Sequence, residues 1–231
     1  MDKHIYIIVG IFLLIYFFFV LGKGQKRKLL KTITKPYRGT RSERALVLML
    51  LKYGIPARAI FHDLYVKKLN GSFSQIDLVV ATRAGIFVFE VKDYSGWIYG
   101  DGDQSYWTQV LAYGKSKYRL YNPIMQNATH VRELRKRLKL TKNVPFYSIV
   151  VFYGDCVLKN ISYVPVGSFI VKPRGVFALL NNIVNNSRLT YYSDEDGIIK
   201  ILNEAVQNGE NIETQIQHMD NINKMFGRSR V

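Results

Sequence analysis

An α/β sandwich, with a mixed sheet flanked by helices and one apolar helix ahead of it, is the fold class that this sequence predicts. Three observations carry that expectation. β-Branched and aromatic runs alternate with helical patterns in the order helix, three strands, hairpin, helix, strand. No repeat or linker divides them, and 231 residues suffice for one such domain with an appendage. At the N-terminus, Ile5 to Gly22 runs eighteen residues without a charge.

As a helix that apolar run would be about 27 Å long, close to the hydrocarbon thickness of a bilayer. A cleavable signal peptide has a shorter apolar core that ends in small residues. Here Lys23, Lys26, Arg27 and Lys28 follow at once, a positive flank of the kind retained on the cytoplasmic side. Residues 1–22 are therefore expected to be a single-pass anchor in the cell membrane, with the soluble domain cytoplasmic. Residues 23–38 are a basic juxtamembrane linker, and from Lys23 to Arg44 the chain has nine basic residues against one acid, Glu43. Its position suits anionic lipid headgroups, at about 1 kcal/mol per basic residue near the surface; nucleic acid is the other polyanion it fits. The whole chain has the same bias, with a formal charge of +16 and a pI of about 9.8, which calls for a polyanionic neighbour. A composition 48% hydrophobic and 13% aromatic excludes a disordered chain. One cysteine, Cys156, excludes an intrachain disulfide and reads as a core residue behind an apolar run.

The soluble part opens with a helix over Arg41 to Tyr53, where Ser42 can cap and Gly54-Ile55-Pro56 stops it. Ala59 to Lys68 is a strand ended by the turn signal Asn70-Gly71. Gln75 to Ala81 and Ile86 to Lys92 are two more, joined by Thr82 to Gly85. Trp107 to Leu111 and Lys117 to Tyr121 form a hairpin around Ala112-Tyr113-Gly114. Asn122-Pro123 starts the second helix, with Ile124, Ala128, Val131, Leu134 and Leu138 as its apolar face. Pro145 to Tyr153 and Ser168 to Val171 are strands, and helical patterns occupy about 174–186, 194–208 and 211–226.

The chemistry concentrates in residues 75–92. If the two strands there form a hairpin centred on Arg83–Ala84, Asp77 faces Glu90 and Gln75 faces Lys92, all on one face. Opposed Cβ atoms lie about 4.5–5.5 Å apart, and the strands around them are apolar. Burying two unpaired carboxylates costs several kcal/mol, so a cation belongs with them. Lys92 is one candidate and a hard divalent ion such as Mg²⁺ (or Mn²⁺) is another. A structural network of acid and lysine is the plainer alternative. His4, His62, His130 and His218 are scattered without metal-ligand spacing, which speaks against zinc.

Gln75–Asp77, Gly85–Gly96 (GIFVFEVKDYSG), Trp107 and Asn122–Asn127 (NPIMQN) together resemble the NERD, or nuclease-related, domain of the PD-(D/E)xK nuclease superfamily. The resemblance runs from about Gly39 to Phe152. It implies a restriction-endonuclease-like αβββαβ core within residues 39–155, with residues 156–231 as a partly helical extension packed on it. It also implies a cation-dependent phosphodiesterase site: Asp77 and Glu90 as metal ligands, Lys92 as the catalytic lysine, Glu43 assisting a metal or its water, and Gln126 contacting substrate or water. Ser42 stands where the family often has glycine before the upstream acid.

The second helix also carries Arg132, Arg135, Lys136, Arg137 and Lys139 against Glu133. They are either its solvated face or, beside a nuclease-like core, a holder of backbone phosphates at Arg132, Arg135, Lys136 and Lys139. Tyr94, Trp97, Tyr99, Tyr106 and Trp107 suit core packing and, alternatively, stacking on unpaired bases. The expected partners are nucleic acid, DNA ahead of RNA, and anionic lipid. A nucleic-acid adaptor without catalysis and a basic membrane-surface scaffold are the rival readings.

Overall fold

Strands form where the β-branched and aromatic runs meet turn residues. In the computed structural model, which describes residues 24–139, 144–187 and 195–225, the first three are β1 (Ile60–Lys67), β2 (Phe73–Thr82) and β3 (Gly85–Asp93). Asn70 closes the first turn by accepting from the Ser72 amide at 3.1 Å. The β2–β3 hairpin has the expected register from Thr82 opposite Gly85 to Leu78 opposite Phe89.

The second half adds β4 (Trp97–Asp101), β5 (Tyr106–Leu111), β6 (Ser116–Tyr121), β7 (Phe146–Tyr153), β8 (Val157–Ser162) and β9 (Ser168–Val171). These build two sheets where the sequence predicts one. A five-stranded mixed sheet has the order β1-β2-β3-β7-β9, and a four-stranded sheet the order β6-β5-β4-β8. The physical reason is a shared corner. The parallel neighbours β3 and β7 both turn out of the first sheet and continue as β4 and β8, again parallel. Cys156 and Val157 donate across the corner to the Tyr94 and Gly96 carbonyls at 3.1 and 2.7 Å. Gly154 turns the corner with φ +70°, and a side chain there would run into the Tyr94 carbonyl.

Helices cover both faces of the first sheet. Helix α1 (Arg41–Tyr53) is capped by Thr40, two residues before the expected Ser42, in a reciprocal box with Glu43. Ser42 instead donates to the Asp93 carboxylate. Leu46, Val47 and Leu50 of α1 join Leu78, Val80, Phe87 and Phe89 in one core, closed by Val176, Leu180 and Ile183 of α3 (Val176–Asn186). The opposite face joins Phe61, Leu64, Val79 and Val88 to Leu134 and Leu138 of α2 (Pro123–Leu138) and to Ile198 and Leu202 of α4 (Glu195–Asn208). Each such side chain contributes about 1.5–3 kcal/mol on burial, so the C-terminal helices complete the cores the first strands begin. Helix α5 (Ile212–Met225) follows. Among the described residues no helix is long and apolar enough to cross a membrane; the expected anchor, Ile5 to Gly22, lies outside them.

Asn122 ties α2 to the second sheet. Its side-chain oxygen accepts from the Ile124 and Met125 amides, and its amide group donates to the carbonyls of Asp101, Gly102 and Gln104 at 2.8–3.2 Å. Asn122→Ala would strip a cap and strand buried carbonyls. We expect it to cost at least about 2 kcal/mol, seen as a lower urea midpoint with an unchanged slope; an unchanged midpoint would refute this role.

Candidate active site

The site forms where the strand ladders lapse. β1 and β2 pair on either side of Asp63 and Asp77 but not between them, and Asp63 has φ +55°, a conformation aspartate tolerates better than most residues. The lapse reverses the side-chain alternation: Leu78 packs in the α1 core and Ile76 in the α2 core, although they are two residues apart. Asp77 therefore does not pair with Glu90 as a ladder rung. Its carboxylate accepts the Val91 amide at 2.7 Å. Gln75, expected opposite Lys92, falls away from the site for the same reason and donates to Asp63 at 2.9 Å. Asp63 is itself held by Arg38 at 2.6 Å.

All five expected site residues, Asp77, Glu90, Lys92, Glu43 and Gln126, are linked by contact or by charge. Lys92 Nζ lies 2.6 Å from Glu90 Oε1 and donates to Gln126 Oε1 at 3.0 Å. Gln126 reaches the site because the first turn of α2 abuts the sheet end. Its predicted apolar face is rotated: Ala128 is exposed, while Asn127 and His130 are buried with Ile124, Leu134 and Leu138. Asn127 donates to the Val88 carbonyl at 2.9 Å and to Ser148 at 3.0 Å, pinning the helix to β3 and β7.

Sequence reasoning missed two buried histidines. His130 Nε2 lies 3.3 Å from Glu90 Oε2, and its Nδ1 is 3.0 Å from Ser74 Oγ. His62 Nε2 lies 3.3 Å from Glu43 Oε2, and its Nδ1 is 2.8 Å from Thr34 Oγ1. Both Glu–His contacts have ion-pair distance without hydrogen-bond alignment, so both Oε2 atoms are buried without a hydrogen bond. The signal for His130 was its spacing, four residues after Gln126 and thus on the same helical face. For His62, in an apolar strand, none was present. Gly39, with φ +62°, has no room for a side chain: a Cβ would stand about 2.5 Å from both His62 and Glu43.

Burial, and then the charges of Glu90 and Glu43, push the Asp77 carboxyl well above the usual carboxylate range, against the Val91 amide and Lys92. Glu90 is only 1% exposed; burial would raise it too, but His130 and Lys92 outweigh that and hold it low. Glu43 is likewise lowered, burial being outweighed by His62 and Thr40. Burial disfavours the Lys92 cation, yet Glu90 more than compensates and the ammonium is held above its ordinary value. Lys92 is thus a cation at neutral pH and not a ready base.

Lys92 contacts Glu90 and feels the charge of Asp77, and Asp77 in turn feels Glu90 and Glu43, so one of the three carboxylates ionises only at a cost. Hard oxygen donors with two buried, unbonded oxygens fit a divalent ion of the Mg²⁺ type, which takes one or two carboxylates and completes its shell with water and phosphate. Among the described residues no three His, Cys, Asp or Glu side chains form a ready-made metal cluster, so a fully protein-built cage does not fit. Arg132, Arg135, Lys136 and Lys139 lie toward the other end of α2, from about 9 to about 20 Å along the axis from Gln126 at 1.5 Å per residue. Arg132 and Lys136 both contact Glu133, and Arg135 lies over the Phe146 ring at 4.2 Å. Of the candidate stacking rings, Trp107 is buried parallel to Phe152 and Tyr94 packs on the same ring.

A family model described as a nuclease-related domain matches residues 38–153. An uncharacterized protein of Bacillus anthracis is 31% identical over 126 residues, which cover 54% of this chain and 58% of that protein. No solved structure matches significantly.

Proposed function

From its membership of the nuclease-related domain family, we propose that this chain is a membrane-anchored, Mg²⁺- or Mn²⁺-dependent nuclease that hydrolyses phosphodiester bonds, with DNA processing as its role. The observation that carries the reading is Asp77, its pKa raised by burial and by Glu90 and Glu43, beside the unbonded Oε2 atoms of Glu90 and Glu43. Asp77 and Glu90 would hold the ion, with Glu43 assisting it or its water. A bound divalent ion would lower the pKa of a water and polarise a phosphoryl oxygen.

The remaining work falls to the chain itself. Lys92, charged and aimed by Glu90 and Gln126, places a cation where negative charge builds on the phosphate. His130, held by Ser74, lies at ion-pair distance on the side of Glu90 that Lys92 does not contact. Farther along α2, Arg132, Arg135, Lys136 and Lys139 would hold backbone phosphates. Residues 1–22 would anchor the chain with this domain on the cytoplasmic side. In support of a lipid contact, Lys26, Arg27, Lys31, Lys35 and Arg44 line a groove of about 280 Å³, suited to anionic headgroups.

The test is cleavage of labelled DNA and RNA by the full-length protein in lipid nanodiscs, with Mg²⁺, with Mn²⁺ and with chelator. Cleavage only with metal supports the reading. Binding of nucleic acid without cleavage under any condition would make the protein an adaptor. Binding to anionic lipid alone would make it a scaffold.

A further inference from the structure

The β5–β6 hairpin presents a surface that the catalytic reading does not use. It is the outer edge of the second sheet, and β6 pairs with β5 alone among the described residues. In register, Tyr106 stands opposite Tyr121, Thr108 opposite Arg119, and Val110 opposite Lys117, so these side chains share one face. The Arg119 guanidinium lies 3.7 Å from the centre of the Tyr106 ring, which meets Tyr121 edge-on at 6.0 Å. Tyr106, Tyr118 and Tyr121 are 42%, 54% and 41% exposed. With Thr108 and Lys117, Tyr106, Tyr118 and Arg119 line a groove of about 680 Å³, within the range of sites that take small organic ligands.

Charge selects the occupant. Between Gln104 and Tyr121 there is no Asp or Glu, whereas Lys115, Lys117 and Arg119 are present. None of the three meets a carboxylate among the described residues. Cations on an edge strand also deter strand pairing. That purpose is poorly served by three exposed tyrosines, which add sticky surface to the same edge. Rings beside cations that meet no carboxylate suit a ligand with flat faces and a phosphate backbone.

We propose that this hairpin is a stacking platform for unpaired nucleotides, so that the nucleic acid engaged is single-stranded or carries a single-stranded tail. Tyr106 and Tyr121 offer rings to bases on the face they share with Lys117 and Arg119, which meet the phosphates, and Tyr118, opposite Gln109 on the alternate face, also lines the groove. A base pair inside a duplex hides both faces in its stack, so duplex would bind less well. Tyr121 leads directly into Asn122 and the first turn of α2, which carries Gln126, the hydrogen-bond partner of Lys92. Its role as a substrate guide rests on the nuclease reading; its binding of single strands does not.

The test measures binding by the full-length protein in chelator, where cleavage cannot occur. The probes are a labelled oligothymidine strand and the same strand annealed to its complement. Wild type should favour the single strand, Tyr106→Ala with Tyr118→Ala should weaken that binding at least about tenfold, and the corresponding pair of Phe variants should retain it. Ultraviolet crosslinking of a bromouracil strand to the unaltered protein should yield adducts within residues 104–121, a readout independent of how the variants fold. Unchanged binding by the alanine pair, or adducts confined to other segments, would overturn the proposal. Mg²⁺-dependent cleavage of the same strand is read separately. Failure to cleave with platform binding intact sinks only the nuclease reading, and cleavage with unchanged binding by the alanine pair sinks only the platform.

Discussion

Lys92→Arg should lower metal-dependent cleavage by at least about a hundredfold, and Lys92→Met by about a thousandfold or more. Lys92 Nζ has two fixed acceptors, Glu90 Oε1 at 2.6 Å and Gln126 Oε1 at 3.0 Å. Glu90 raises its pKa against the effect of burial, so the side chain supplies charge at a defined point. Methionine removes the charge and leaves a buried carboxylate with less compensation, a change worth about 3–5 kcal/mol in comparable pairs; part of its effect would be on stability. Arginine separates the two contributions. It retains the positive charge, yet its planar fork is longer and cannot place one nitrogen where the ammonium sits. Gln126→Ala, which loosens the aim of Lys92 without removing it, should cost only about tenfold. The check is single-turnover cleavage by variants whose thermal transitions have been measured alongside. Arginine activity equal to wild type would mean that charge near Glu90 suffices and that Lys92 has no defined chemical position.

Much of this site was legible because the hairpin from Thr82–Gly85 to Leu78–Phe89 follows the period-two rule without a slip. The rule fails at the next residue for a reason local patterning does not encode. Asp63 adopts a left-handed conformation, the ladder lapses opposite it, and Gln75 is diverted to Asp63 and Arg38. Asp63 looks like any other acid in a strand, so nothing in the chain announced the lapse. The polar side of α2 was obscured differently. Counting apolar residues placed Ala128 on the inner face, whereas Asn127 and His130 occupy it, because each finds buried hydrogen-bonding or ionic partners on the strands. Burial of polar groups depends on partners remote in sequence, which periodicity cannot see. The second sheet was hidden for a similar reason. β4 and β8 are short and pair across some sixty residues of chain, and neither shows clean alternation in its burial.

Asp77→Asn should make the protein more heat-stable without metal at pH 7.5–8, while abolishing the stabilisation expected of Mg²⁺ in the wild type. The sign follows from the direction of the shift. Burial, Glu90 and Glu43 raise the folded-state pKa of Asp77 above its unfolded value. Its contribution is therefore fully present below the unfolded pKa of about 3.9 and is lost as pH rises through the folded value. Asparagine stays neutral at every pH and retains an oxygen for the Val91 amide, so its advantage should open with rising pH and close in acid. Glu43 and Glu90 act oppositely. Their lowered pKa values stabilise the fold above about 4.3 and lose that contribution as pH falls through the folded values, so both proteins should weaken in strong acid. Added Mg²⁺ should reverse the order. At a hundred times its dissociation constant a ligand adds about 2.7 kcal/mol, which for a chain of this size is about 5–10 °C, and only the carboxylate would gain it. Thermal scans of the full-length protein in detergent, with Mg²⁺ and with chelator, would read both effects. An equal Mg²⁺ shift in the two proteins would remove Asp77 from the metal site, and a less stable asparagine variant in chelator would mean that the Asp77 charge is already balanced within the fold.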